Sequence, residues 1–187
     1  NIEKLNIYNR NDYTYDVFFA MSHGVNRGKI KTGKKDEREN FIKELINLNK
    51  DIKFDIYGFA DRNPVWSESF YSAISRSYMA VNLNRGKPKK YSSSNRIGSL
   101  IGNGLLTFID YKKKFNHFFN DDEIIFYNNK YDLSDKINYY KHNHHLAKKI
   151  AKKGQDKYFK LFNEIEVAKY IINESVGNAN KPIWDRY

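Results

Sequence analysis

Strand-length apolar runs alternating with helical stretches predict an α/β fold, a doubly wound parallel sheet of about five to six strands with helices on both faces. Three observations carry this. Runs rich in apolar, β-branched and aromatic residues recur at 15–21, 54–59, 79–83, 105–109 and 123–127. Stretches with helically spaced apolar residues separate most of them. Leu105, Leu106, Thr107, Phe108 and Ile109 form an unbroken apolar and β-branched run, as expected of a strand covered on both faces.

Taken in order, residues 1–14 are polar and read as a linker or edge segment. The first strand, YDVFFAM, leads into a loop at 22–35 with Gly24, Gly28 and Gly33 beside Arg27, Lys29, Lys31, Lys34 and Lys35. Asp36 and Glu39 then make a capping-box pattern, and Phe41, Ile42, Leu45, Ile46 and Leu48 give the following helix its apolar stripe. After the strand FDIYGF come a loop at 60–66 and a helix at 68–78. The strand MAVNL opens into a basic loop containing Arg85, Gly86, Lys87, Pro88, Lys89 and Lys90. A polar loop at 91–95 leads to a short helix at 96–101, which Gly102 and Gly104 end. Short helices at 115–119 and 133–140 flank the strand EIIFY. Residues 146–176 are helical with a break at Gly154, and 177–187 form an irregular tail. The organisation expected is therefore one domain at 15–176 between the segment 1–14 and the tail 177–187.

A length of 187 residues suits a single domain with a substantial core. The chain opens with Asn rather than Met, so a fragment, a processed product or an excised domain is expected. It has no cysteine, which excludes disulfides and thiolate metal sites and fits a reducing compartment. No run approaches the ~18 apolar residues of a membrane span, and nothing at the start resembles a signal peptide. A cytoplasmic location is expected. The formal net charge of +11 attracts nucleotide phosphates, nucleic acid and anionic lipid alike. The joint richness in Lys, Asn, Ile and Tyr fits an AT-rich genome, so part of that charge reads as drift.

The chemistry concentrates in YSSSNRIGSLIGNGLLTFID, residues 91–110. A loop–helix–strand unit leaves unpaired backbone N–H groups at the helix start, here beside the Arg96 guanidinium and several hydroxyls, a setting that suits a phosphate. The other reading is a parallel-sheet crossover with a surface arginine. An Arg, a Gly eight residues on, and an apolar strand ending in Asp resemble the donor-binding segment of glycosyltransferases of the two-Rossmann-domain (GT-B) type. The likeness is strongest to the glycosyl transferases group 1 set that includes the CgeB-like spore proteins. There the segment runs Arg-x-aromatic-Glu, four residues, Gly, then a strand. Arg96 and Gly104 match, while Gly98 replaces the aromatic and Ser99 the Glu, which in the family bonds the donor's ribose. The likeness runs from about Asp16 to Ile172. It implies a Rossmann-like donor domain of a metal-independent bacterial glycosyltransferase. Such a domain binds a nucleotide-diphosphate sugar for transfer to a glycan or lipid-linked acceptor in surface polysaccharide synthesis. The catalytic base would lie in a separate N-terminal acceptor domain, and no further cofactor is implied. The donor-binding residues implied or proposed are Gly24, Arg27, Tyr57, Arg85, Arg96, Ser99, Asn103 and Gly104.

Other constellations compete. GKIKTGKK at 28–35 falls one hydroxyl short of a P-loop, because Lys35 cannot ligate Mg²⁺. It reads either as a cationic loop facing a pyrophosphate or as a solvated loop. Ligands of open α/β sheets sit beyond the strands' carboxyl ends, which gathers the loops 22–35, 60–66, 84–95 and 110–114 on one rim. Tyr57, Phe59 and Tyr91 are core aromatics or base platforms, and Asn82 and Asn84 candidate ribose or base partners. His142, His144 and His145 invite a metal reading, but no carboxylate flanks them closely and lysines surround them, so an exposed helical link is preferred. Lys148, Lys149, Lys152, Lys153 and Lys157 read as a solvated face or as peripheral contact with an anionic membrane. Two alternatives are a non-catalytic nucleotide- or glycan-binding module, supported by Ser99 in place of Glu, and a basic nucleic-acid-binding domain, supported by charge alone. No sequence specificity is expected of the latter, since lysines without a reading surface give only non-specific phosphate attraction. Asp61 and Asp110 are the only candidates for a glycosidase pair.

Overall fold

A computed structural model describes residues 4–22, 36–59, 61–92 and 94–177 of the chain. Five strands, β1 (Tyr15–Ala20), β2 (Phe54–Tyr57), β3 (Ser77–Asn82), β4 (Leu106–Asp110) and β5 (Ile125–Tyr127), form one sheet in the order β2-β1-β3-β4-β5. Every neighbouring pair is parallel. The helices are α1 (Glu37–Leu48), α2 (Ser67–Ile74), α3 (Arg96–Gly102), α4 (Lys130–His142), α5 (His144–Phe162) and α6 (Glu164–Ser175). The expected five to six strands are five, and the Rossmann-like α/β class is as predicted. In a sheet ordered 2-1-3-4-5, β1 and β3 are neighbours whose following segments leave toward opposite faces. That is the switch point at which such sheets bind ligands.

Alternation along each strand divides the core. Val17, Phe19, Met79, Val81, Leu106 and Phe108 face α1, α4 and the first half of α5, meeting Ile42, Leu45, Leu133, Ile137, Ala147 and Ile150. On the other face Phe18, Ala20 and Ala80 meet Ala73 and Ile74 of α2 and Leu100 of α3. Ile109 and Phe126 meet Ile97 and Ile101 of α3, with Tyr158 and Phe162 of α5 packed alongside. The long helix α5 thus passes from one face to the other beneath the strands' amino ends.

Several details differ from expectation, three of them for a clear tertiary reason. The helix expected over 68–78 stops at Ile74, because Ser77 and Met79 are drawn into the ladder opposite Tyr15 and Val17. The break expected at Gly154 falls at Asn163 instead. Gly154 lies buried inside α5, where a Cβ would sit 2.2 Å from the Glu123 carbonyl oxygen. Its absent side chain admits a close crossing and does not end the helix. Asn163 ends α5 by donating Nδ2 to Phe159 O at 2.9 Å and starts α6 by accepting from Glu166 N at 3.0 Å. Leu48, placed on the apolar stripe of α1, is 44% exposed, since the stripe outruns the sheet it covers.

The segment expected as a linker or edge is docked from residue 4 onward. Ile7, in a 3-10 turn at Ile7–Asn9, is fully buried. Its N–H donates to Asn103 O at 2.9 Å, and its carbonyl accepts from Tyr13 Oη at 2.5 Å. Of the tail 177–187, only Gly177 lies within the described residues.

Candidate functional site

The carboxyl edge of the sheet at β1 and β3 is where the chain brings cationic and amide groups together. In a right-handed crossover the helix runs antiparallel to its strands, so the first residue of α3 stands beside the end of β3. Arg96 is that residue. Its Nη1 donates to Ala20 O, the last carbonyl of β1, and its Nη2 to Leu83 O, just past β3, at 2.8 Å. The planar fork therefore bridges the switch point. A guanidinium carries five N–H donors; the Nε–H of Arg96 is buried without a hydrogen-bond partner among the described residues. Burial above all, and then the Arg38 guanidinium, push its pKa down to about 10, which leaves it charged at neutral pH.

Arg38 approaches from the start of α1. Asp36 caps that helix by accepting from Arg38 N at 3.0 Å, and the same carboxylate holds the Arg38 guanidinium at 2.7 Å. Arg38 Nη2 also donates to Ser22 O at 3.0 Å, which pins the end of β1 to the helix. At the end of β3, Asn82 is fully buried, with neither Oδ1 nor Nδ2 bonded within the described residues. Asn84 Nδ2 donates to Ser92 O at 3.2 Å. Beyond β4, Asp110 Oδ1 caps the turn Tyr111–Lys113 by accepting from Lys112 N at 2.9 Å.

Not all residues singled out from the sequence share this edge. Gly24 and Arg27 lie outside the described residues. Arg85 is exposed in the loop after β3. Tyr57 turns away toward α2, its Oη donating to Asp55 Oδ2 at 3.4 Å and accepting from Arg76; burial and then Asp55 raise its pKa. Phe59 is buried edge-on against Phe19. Tyr91 is exposed and packs on Phe118 and His117. Ser99, one turn into α3, opens onto a groove between α3 and the α5–α6 corner, beside Tyr158 and Phe162.

Asn103 and Gly104 stand at the opposite end of α3, by the amino end of β4. A seven-residue helix spans about 10 Å. Asn103 there donates to Ser99 O at 2.7 Å and accepts Leu5 N at 3.2 Å. Gly104, at φ +79, leaves room for the Tyr8 ring, which a Cβ would meet at 2.5 Å. Their tertiary place is thus beneath the sheet, holding the N-terminal segment.

Sequence reading passed over Arg38 and Lys113, whose neighbours in sequence are also charged. Among the described residues no cluster of three or more His, Cys, Asp or Glu is placed to hold a metal ion. His144 packs against Tyr78 with ring centroids 4.2 Å apart, and His142 Nδ1 bonds Asn138 O. The lysines of α5 find local partners: Lys148 on Arg10 O, Lys152 on Asp156 and Lys153 on Asp122.

A family model described as glycosyl transferase-like matches residues 35–173, well over half of the chain. The chain belongs to this glycosyl transferase-like family. The match begins after β1 and takes in Arg96, Lys113 and the four later strands. Membership supports a role in glycosyl transfer, and Arg96 lies inside the matched region while β1 lies outside it. No curated protein matches the chain. Among the described residues no helix is long and apolar enough to cross a membrane.

Proposed function

We propose that this domain is the donor-binding half of a GT-B glycosyltransferase, holding a nucleotide-diphosphate sugar at the β1/β3 switch point. The observation that carries the reading is the Arg96 fork lodged between the ends of those two strands. In the reaction the bond from the sugar's anomeric carbon to the diphosphate oxygen breaks and a bond to an acceptor oxygen forms. Negative charge collects on the departing diphosphate, where fixed cations stabilise it most. Arg96 supplies such charge without a metal, and Arg27 is its expected companion from the loop after β1. An acceptor domain provides the glycan or lipid-linked acceptor and the base that takes its proton. Surface polysaccharide synthesis at the inner face of a membrane is the setting that fits.

A second reading has an observation of its own. Two N–H groups of Arg96 are engaged by backbone carbonyls, and Ser99 stands where a Glu is usual. A domain that keeps the fold and binds nucleotide or glycan without catalysis fits both facts. Titrating the chain with UDP, GDP and a short duplex at two salt concentrations separates the possibilities. Saturable diphosphate binding with a shallow salt dependence, lost in Arg96→Ala, is expected of either nucleotide reading. Added sugar transfer once an acceptor domain is supplied singles out the enzyme. Duplex binding that falls steeply with salt, with no diphosphate binding, overturns both.

A further inference from the structure

The same edge holds a cation that this reading does not use. Lys112, Lys113 and Lys114 follow β4, and the outer two are exposed. Lys113 is only 2% exposed, and its Nζ has no hydrogen-bond partner among the described residues. A solvated face explains its neighbours and leaves Lys113 unexplained. Buried polar groups are ordinarily bonded, and an ammonium brings three donors and no acceptor. The nearby Asp110 carboxylate attracts this ammonium but caps the turn through Oδ1, and no hydrogen bond joins it to Lys113 Nζ among the described residues. The turn is covered by a surface loop: Tyr91 N donates to Lys113 O at 2.8 Å, and residues 85–91 are exposed.

Unbonded polar atoms gather along this edge. Arg96 Nε, Lys113 Nζ and Asn82 Nδ2 are donors, Asn82 Oδ1 and Asn84 Oδ1 acceptors, and the Tyr127 hydroxyl can be either. Two of these groups are cationic. Two cations with buried nitrogens, close enough to repel one another and one of them with no hydrogen-bond partner among the described residues, suit an anion between them.

We infer that Lys113 is an anion-binding residue of this site, its ammonium meeting the diphosphate of the nucleotide donor from the β4 side while Arg96 meets it from the β1/β3 side. The inference rests on the donor-domain reading and extends it to a residue outside the Arg-to-Gly motif. The groups that act on Lys113 electrostatically are Asp110 and Arg96. Burial foremost, with a smaller push from Arg96 and against the pull of Asp110, brings its pKa down to about 8. An arriving anion reverses that depression, so binding above pH 8 takes up a proton.

Calorimetric titration with UDP, GDP and inorganic pyrophosphate tests this on wild type, Lys113→Met and Arg96→Ala. Lys113→Met is expected to weaken diphosphate binding about tenfold or more, while its melting temperature holds or rises. At pH 8.5, buffers of different ionisation heat should reveal uptake of a fraction of a proton by wild type and none by Lys113→Met. Unchanged affinity in folded Lys113→Met overturns the inference, and loss in Arg96→Ala alone leaves the donor reading standing. Failure of wild type to bind any of the three probes overturns both. If Lys113→Met does not fold, Lys113→Gln and the wild-type proton uptake decide, and absence of uptake counts against it.

Discussion

Arg96 has a structural role that can be measured apart from any binding. Its fork satisfies Ala20 O and Leu83 O, so Arg96→Ala leaves two carbonyls short of partners at the switch point. The expected loss is about 2–4 kcal/mol in denaturant unfolding, from ~1–3 kcal/mol per unsatisfied buried group. Arg96→Lys keeps the charge but cannot span both carbonyls, and should recover only part of that stability. Lys113 works in the opposite direction. A lysine titrates near 10.5 in the unfolded chain, and here near 8 when folded. Between those values the unfolded chain holds more protons, so raising the pH through this window favours the fold. Against Lys113→Met, wild type should therefore gain roughly 3 kcal/mol from pH 8 to pH 10.5 at about 1.4 kcal/mol per unit. Unfolding free energies of the two proteins across that range check it. A constant difference would mean that Lys113 is solvated.

At the scale of elements, the close crossing of α5 beneath β5 depends on one hydrogen atom. Gly154→Ala adds a methyl 2.2 Å from the Glu123 carbonyl oxygen. Alanine's helix preference, worth ~1 kcal/mol over glycine, should be outweighed by overpacking of about 1–3 kcal/mol. A lowered thermal midpoint by circular dichroism is the expected result, and a raised one would show that α5 can lift off the turn. The α5–α6 corner hangs on Asn163, which closes one helix and opens the next. Asn163→Ala should cost about 1 kcal/mol. The cost should be felt mainly in α6, none of whose residues is buried, and hydrogen exchange in 164–175 would report it.

Across the whole molecule, the N-terminal segment is part of the domain it precedes. Ile7 is wholly buried beside Leu100 and Leu105, so Ile7→Ala should lose about 2–5 kcal/mol, measured by urea unfolding. The segment's anchor is Asn103, ninety-odd positions on, and its cover over Gly104 is Tyr8. Removing residues 1–14 is accordingly expected to destabilise the entire sheet instead of trimming a spacer. A truncated chain that unfolds at the wild-type midpoint would refute that.

The parallel sheet and its strand count were legible because period-two and period-3.6 patterns are local properties of the chain. The position of Arg96 was legible for a related reason: a helix start beside a strand end is encoded in adjacent residues. Asn103 and Gly104 were read as partners of Arg96, but the intervening helix carries them to the sheet's other end. Lys113 could not be picked from three consecutive lysines, since burial of the middle one depends on its turn packing against β4 and the loop at 85–91. Sequence alone determined which elements form and in what alternation, because neighbouring residues compete for one backbone geometry. Only the tertiary structure decided which polar groups lose water at the switch point, because desolvation comes from residues distant in the chain.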